Sequence, residues 1–135
     1  MSIPGTINGV TVEFAGTVNQ AVEDNLVAGL RHCIETSIAP GYSLRTIWIS
    51  SANDSHEAPS RHAQGKGVDI SRINGTRIAV GYSTSAEVKA IVDAIQTKFE
   101  SFAGSRENFG PHFKRKHGMP HAVSGHGDHI HLSVD

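Results

Sequence analysis

The chain has 135 residues, 38% of them hydrophobic and 19% charged, with a formal net charge of −1 at pH 7. That length suits one domain, residues 1–135, with a real core and little surplus for a second. The near-neutral balance excludes a dedicated nucleic-acid binder, which would carry a marked basic excess, and the lone Cys33 excludes an internal disulfide framework.

In chain order, Ile7 to Phe14 predicts a short strand or hairpin about Asn8-Gly9. From about Thr17 to Ile38, the apolar residues Val18, Val22, Leu26, Leu30, Cys33, Ile34 and Ile38 recur with a 3.6-residue period and predict a helix. Thr17 with Gln20 offers a capping box, Pro40-Gly41 a stop, and Cys33 falls on the apolar face as a buried, inert thiol. Leu44 to Ser50 is rich in β-formers and reads as a central strand. After a polar loop, Gly67–Ile73 and Thr76–Gly81 predict a hairpin across Asn74-Gly75. A second helix is expected from about Ser85 to Phe102, with Val88, Ile91, Val92, Ile95, Phe99 and Phe102 on one face and Thr84 and Glu87 as its cap. A long Gly- and His-rich loop then leads to a final strand, His129 to Val134. The expected fold is α+β: a small, mainly antiparallel sheet with two main helices on one face.

Nine histidines are the compositional oddity, and six of them (His112, His117, His121, His126, His129 and His131) fall in the last quarter. A polar His-rich loop accounts for His112, His117 and His121. It does not suit His129 and His131, which alternate with Ile130, Leu132 and Val134, so that in a strand the two imidazoles share a face. Asp69 stands in a strand otherwise reading Val-x-Ile, where an unpaired buried carboxylate is costly. His62 precedes it, with Gly65 and Gly67 allowing a sharp turn. Pairing the terminal strand beside the hairpin brings His62, Asp69 and His131 to one point. Asp128, three residues before His131, adds a carboxylate that need not coordinate. Three protein ligands, an open vertex for water and a nearby general base are what a catalytic zinc site requires. The chain therefore reads as a small zinc hydrolase with Zn²⁺ as cofactor. In it Asp128 takes a proton from the water and passes it to the leaving amine. On position alone Asp128 reads as the Asp of a Gly-Asp turn, and it is the His126-x-x-His129-x-His131 array beside it that favours the functional role.

Ser60-x-His62-x-x-Gly65-x-Gly67-x-Asp69 resembles the SxHxxGxAxD signature of the LAS group of zinc peptidases that cleave bacterial cell-wall peptides. That group includes D-Ala-D-Ala carboxypeptidases and dipeptidases, L-alanyl-D-glutamate phage endolysins and penicillin-insensitive murein endopeptidases. Asp128-x-x-His131 is similar to its terminal ligand with an acidic base three residues earlier, and His126-x-x-His129-x-His131 is similar to the murein endopeptidase branch. The resemblance implies a LAS/hedgehog-like domain with His62, Asp69 and His131 on zinc and Asp128 as base. It also implies Ser60 holding Asp69, His129 stabilising the oxyanion or sharing the base role, and His126 gripping substrate. Gly67 replaces the family's Ala, and the stretch Ile49-Ser50-Ser51-Ala52-Asn53 lacks the substrate-holding Arg of many relatives; Arg61 or Arg45 could stand in.

The partner implied is a peptidoglycan stem peptide or cross-bridge, met by a monomer that neither binds nucleic acid nor inserts into a membrane. Lys114-Arg115-Lys116 reads either as a solvated loop or as an attraction for anionic wall polymer. No charged segment leads into an apolar signal-type run. The chain is thus expected to be made in the cytoplasm without a signal peptide and to reach the wall after holin release or phage delivery, as compact phage endolysins do. Cytoplasmic peptide recycling, a D-Ala-D-Ala carboxypeptidase or dipeptidase, a non-catalytic zinc-holding wall-binding module and a metal-free virion protein are the competing expectations.

Overall fold

In the computed structural model, which describes residues 1–52 and 65–135, the chain opens with a hairpin. Strand β1 (Thr6–Ile7) turns into the antiparallel β2 (Val10–Phe14) through Asn8 and Gly9. Both turn residues have positive φ, +48° and +84°, as a type I′ turn demands. The Asn8 side-chain amide also donates to the carbonyls of Arg31 (2.8 Å) and Ile34 (3.0 Å). It thereby satisfies two of the acceptors that the end of a helix leaves without intrahelical partners.

That helix, α1, spans Asp24–Cys33, much less than the expected 17–38. Backbone pairing with the N-terminal segment takes residues 20–22 out of helical conformation. The Ile3 amide donates to the Gln20 carbonyl, the Val22 amide to the Met1 carbonyl, and Ser2 bridges Ala21. Thr17 and Gln20 therefore lie outside the helix they were expected to cap, and Glu23 occupies the N-cap position. Val22 is buried and Val18 packs against the core from this non-helical stretch, so their apolar spacing imitated a helical period. Cys33 is fully buried.

Strand β3 (Thr46–Ser51) runs parallel to β2 and antiparallel to β4 (Gly67–Ile73). Asn74 and Gly75, again with positive φ, lead into β5 (Thr76–Arg77). The strand expected to continue to Gly81 is instead a helix, α2 (Ile78–Thr84). Ile78, Val80 and Tyr82 alternate like strand residues, yet the buried pair is Ile78 and Gly81, three apart, while Val80 is 53% exposed. Packing against the following helix overrides strand propensity here.

That helix, α3 (Ala86–Glu100), is capped by Ser85, whose Oγ accepts from the Val88 amide at 3.2 Å. Thr84 was expected in that role, but its hydroxyl donates to the Val80 carbonyl, and Glu87 accepts from Asn74 Nδ2 at 2.6 Å. The apolar face is the expected one, with Val88, Ile91, Val92, Ile95 and Phe99 buried.

The segment expected as a single loop after α3 holds three strands, β6 (Ser105–Phe109), β7 (Lys114–Lys116) and β8 (Met119–Pro120), before β9 (Ile130–Val134). His117-Gly118, at φ +49° and +75°, turns β7 into β8. The sheet order is β1-β2-β3-β4-β9-β6-β7-β8, with β5 also on β4. All pairings except β2–β3 are antiparallel. The architecture is α+β, a mostly antiparallel open sheet with three helices among the described residues rather than two. Helices α1 and α3 lie over β4, β9 and β6. Val68, Ile70, Ile130 and Leu132 are fully buried with Leu30, Ile91, Ile95 and Phe99 in one core. No helix among the described residues is long and apolar enough to cross a membrane.

Candidate active site

Two central strands place the first pair of candidate side chains. Strand β9 lies between β4 and β6, and Asp69 stands directly opposite His131, with Phe109 opposite His131 on the other flank. Side chains alternate between the faces of a strand. Asp69, His131 and Phe109 therefore share the face turned away from the helices, while Ile130, Leu132 and Asn108 point beneath them. Asn108 confirms the sidedness: its amide donates to the Gln96 carbonyl of α3 at 2.7 Å.

On the outer face, His131 Nδ1 is 2.9 Å from Asp69 Oδ1, and its Nε2 is 3.1 Å from Glu107 Oε1. Glu107 belongs to β6 and also accepts from the Ser133 hydroxyl at 2.8 Å. His131 leaves only 11% of its side chain exposed. Burial disfavours its charged form, but hydrogen bonds to Asp69 and Glu107 outweigh that and raise its pKa to about 9. The same bond from His131, against the effect of burial and with help from Ser133, holds the Glu107 carboxyl down at about 2.

The second pair sits at the mouth of this arrangement. His129 Nδ1 is 2.6 Å from Asp128 Oδ1, and its Nε2 is 3.8 Å from Asp69 Oδ1. Asp128 is 69% exposed, and its bond to His129 lowers its carboxyl below the ordinary range. Asp128, expected as a carboxylate outside the metal's ligands, is thus engaged with His129. His126, with φ +67°, packs its ring 4.9 Å from that of His129 and 5.9 Å from that of His131. Burial, then the nearby His129 and His131, depress its pKa.

Phe109 floors the cluster. Its ring stacks on His131 (5.6 Å, 22°) and on His121 (5.6 Å, 14°) and meets His126 edge-on at 5.1 Å. His121, grouped by sequence with the loop histidines, therefore joins the site. His112 and His117 do not: they lie by Asp93 (3.4 Å) and Asp135 (3.0 Å). Arg45 is remote as well, beside Asn74 at the opposite end of β4 from Asp69 and 3.8 Å from Glu87. Lys114-Arg115-Lys116 forms strand β7 and not a loop. Lys114 donates to the Val123 carbonyl, and Arg115 lies 4.4 Å over the Phe113 ring.

Ser60, Arg61 and His62 fall outside the described residues. The described end of their motif is Gly65, at φ +71°, whose carbonyl accepts from the Glu23 amide and whose Cβ, were there one, would lie 3.3 Å from Val22 Cα. Left-handed backbone in so tight a space favours glycine.

A carboxylate oxygen and an imidazole nitrogen are donors that zinc accepts, and an imidazole backed by a carboxylate at its other nitrogen is the usual form of a metal-bound histidine. Asp69, His131 and Glu107 fit that description. Among the described residues, no group of three His, Cys, Asp or Glu side chains is gathered to hold a metal; the expected third ligand, His62, is not one of them. Sequence reasoning missed Glu107, Phe109 and Ser133. The usable signal was the alternation Glu107-x-Phe109 after Gly104, a carboxylate and an aromatic on one face of a strand. No protein-family model, curated protein or solved structure matches the chain.

Proposed function

We propose that the protein is a zinc-dependent peptidase that hydrolyses an amide bond in the peptide part of bacterial peptidoglycan, of the phage-endolysin or wall-degrading endopeptidase type. The observation that carries this reading is the convergence on Asp69 Oδ1 of His131 Nδ1 at 2.9 Å and His129 Nε2 at 3.8 Å. The motif resemblance at positions 60–69 and 128–131 supplies the substrate class.

In this reading His62, Asp69 and His131 hold Zn²⁺, with Ser60 steadying Asp69. When bound there, the ion lowers the pKa of a water to about 7 and polarises the scissile carbonyl. The remaining work falls to the chain. His129 turns Nε2 toward the ligand pair because Asp128 holds Nδ1, so Nε2 is the atom that receives the attacking water's proton and returns it to the leaving amine. Asp128 then acts through His129, fixing its ring and offsetting the positive charge it acquires. His126, at the rim beside both rings, is placed to meet the substrate, and Arg61 is the candidate clamp for a substrate carboxylate. Such a monomer would act at the wall after holin release or phage delivery.

The test is digestion of purified peptidoglycan with and without a chelator, with the new termini identified by mass spectrometry. An L-Ala/D-Glu cut identifies an endolysin, a cut cross-bridge an endopeptidase, and loss of terminal D-Ala a carboxypeptidase. Absence of any chelator-sensitive product refutes the peptidase and leaves a wall-binding module.

A further inference from the structure

Glu107 lies in no recognisable motif, yet it contacts His131, the most buried imidazole among the described residues of the site. We infer that Glu107 is a positioning residue that commits His131 Nε2 to the protein and presents Nδ1 to the proposed metal. The inference rests on the zinc reading above and adds to it a residue from a different strand.

Four contacts fix the Glu107 residue and the ring it faces. Oε1 takes both the His131 Nε2–H (3.1 Å) and the Ser133 hydroxyl (2.8 Å). The Glu107 backbone amide in turn donates to Ser133 Oγ at 3.1 Å, so one serine clamps both ends of the residue. The Phe109 ring, stacked on His131 at 22°, resists rotation of the imidazole. A half-turn of that ring would set carbon atoms against both carboxylates.

Chemistry gives this geometry its purpose. A neutral imidazole can offer a lone pair at one nitrogen only, and the hydrogen bond at the other decides which. A carboxylate at Nε2 keeps the proton there and raises the basicity of the ring, so that Nδ1, which faces Asp69 at 2.9 Å, is the atom a metal held with Asp69 would take. Register explains why β6 provides this group. Phe109 is opposite His131 and Glu107 opposite Ser133, so Glu107 reaches His131 along the diagonal on the same face.

The experiment compares wild type with Glu107→Gln, which keeps the side chain's size and an oxygen acceptor but loses the charge. Zn²⁺ affinity is measured by chelator competition, thermal unfolding checks the fold, and the His131 ring nitrogens are assigned by NMR in the zinc-loaded protein. The expected result is zinc binding weakened on the order of 10–100-fold in a variant that still unfolds cooperatively, with wild-type His131 bound through Nδ1 and protonated at Nε2. Wild-type affinity in the variant, or zinc bound through Nε2, overturns the positioning role while leaving the zinc reading intact. A wild type that binds no zinc overturns both. Should Glu107→Gln fail to fold, Ser133→Ala loosens the same clamp without changing charge; undiminished affinity there also counts against the role.

Discussion

The two faces of the central strands differ in kind. Beneath the helices, Val68, Ile70, Ile130 and Leu132 are fully buried in an apolar core. One residue along in each strand, Asp69 and His131 meet on the opposite face, with Glu107 arriving from β6. The inner face obtains its stability from area removed from water and from close packing, which are tolerant of which atoms do the filling. The outer face depends on particular atoms in particular places. A strand one residue out of register would exchange the two, so the apolar pattern of β4 and β9 is also what holds the polar site in alignment.

The largest effect that separates the faces is expected from His131→Ala. It removes the imidazole that Asp69 and Glu107 both contact. Removing one partner from a buried charged cluster costs about 3–5 kcal/mol, and the proposed metal loses a ligand. Chemical denaturation and zinc titration should therefore both fail together in this variant; retained zinc affinity would place the metal elsewhere. Asp128→Ala is the contrasting case on the same face. Asp128 is largely exposed and bonds to His129, so stability and zinc content should stay near wild type. Turnover of the proposed substrate should fall by at most about 10²–10⁴-fold, the worth of a positioned acid–base group, because His129 loses the carboxylate that fixes its ring. Metal loss matching that of His131→Ala would contradict the division of labour. On the inner face, Leu132→Ala opens a cavity between the sheet and its helices and should cost about 2–5 kcal/mol. The ring contacts of His131 should survive, which the zinc affinity of the still-folded variant will report.

The same division explains what could be read from the amino acids alone. Local turn chemistry was legible: Asn8-Gly9 and Asn74-Gly75 adopt the positive φ values that hairpins need. So was alternation in β9, and with it the shared side of Asp69 and His131. Helix α1 was overextended because Val18 and Val22 reach the core from a stretch bonded to residues 1–3, and such a pairing leaves no trace in periodicity. Strands β6 to β8 were hidden for another reason. Glu107, Lys114 and Lys116 are polar, and His117-Gly118 turns the chain without the usual Asn or Asp. Glu107 became visible as part of the site only once β6 lay against β9, because its partner is 24 residues away.

The inner face offers a last, smaller test of how dry it is. Cys33 is fully buried on α1, and burial, opposed only by a backbone hydrogen bond, pushes its thiol up to about 12 from an ordinary 9.0. Between those values the folded chain keeps the proton while the unfolded chain releases it. The unfolded state then binds fewer protons, so stability must fall as pH rises through this window, by about 1.4 kcal/mol per pH unit from this group. Other groups titrate there as well, so the measurable quantity is a difference. Urea unfolding of wild type and Cys33→Ala at several pH values above 9 should give a steeper decline for wild type, and parallel declines would mean that water reaches the thiol. Thiol reagents supply a second check at neutral pH. A sealed inner face leaves Cys33 unlabelled until the domain unfolds, whereas prompt labelling would show that α1 opens away from the sheet.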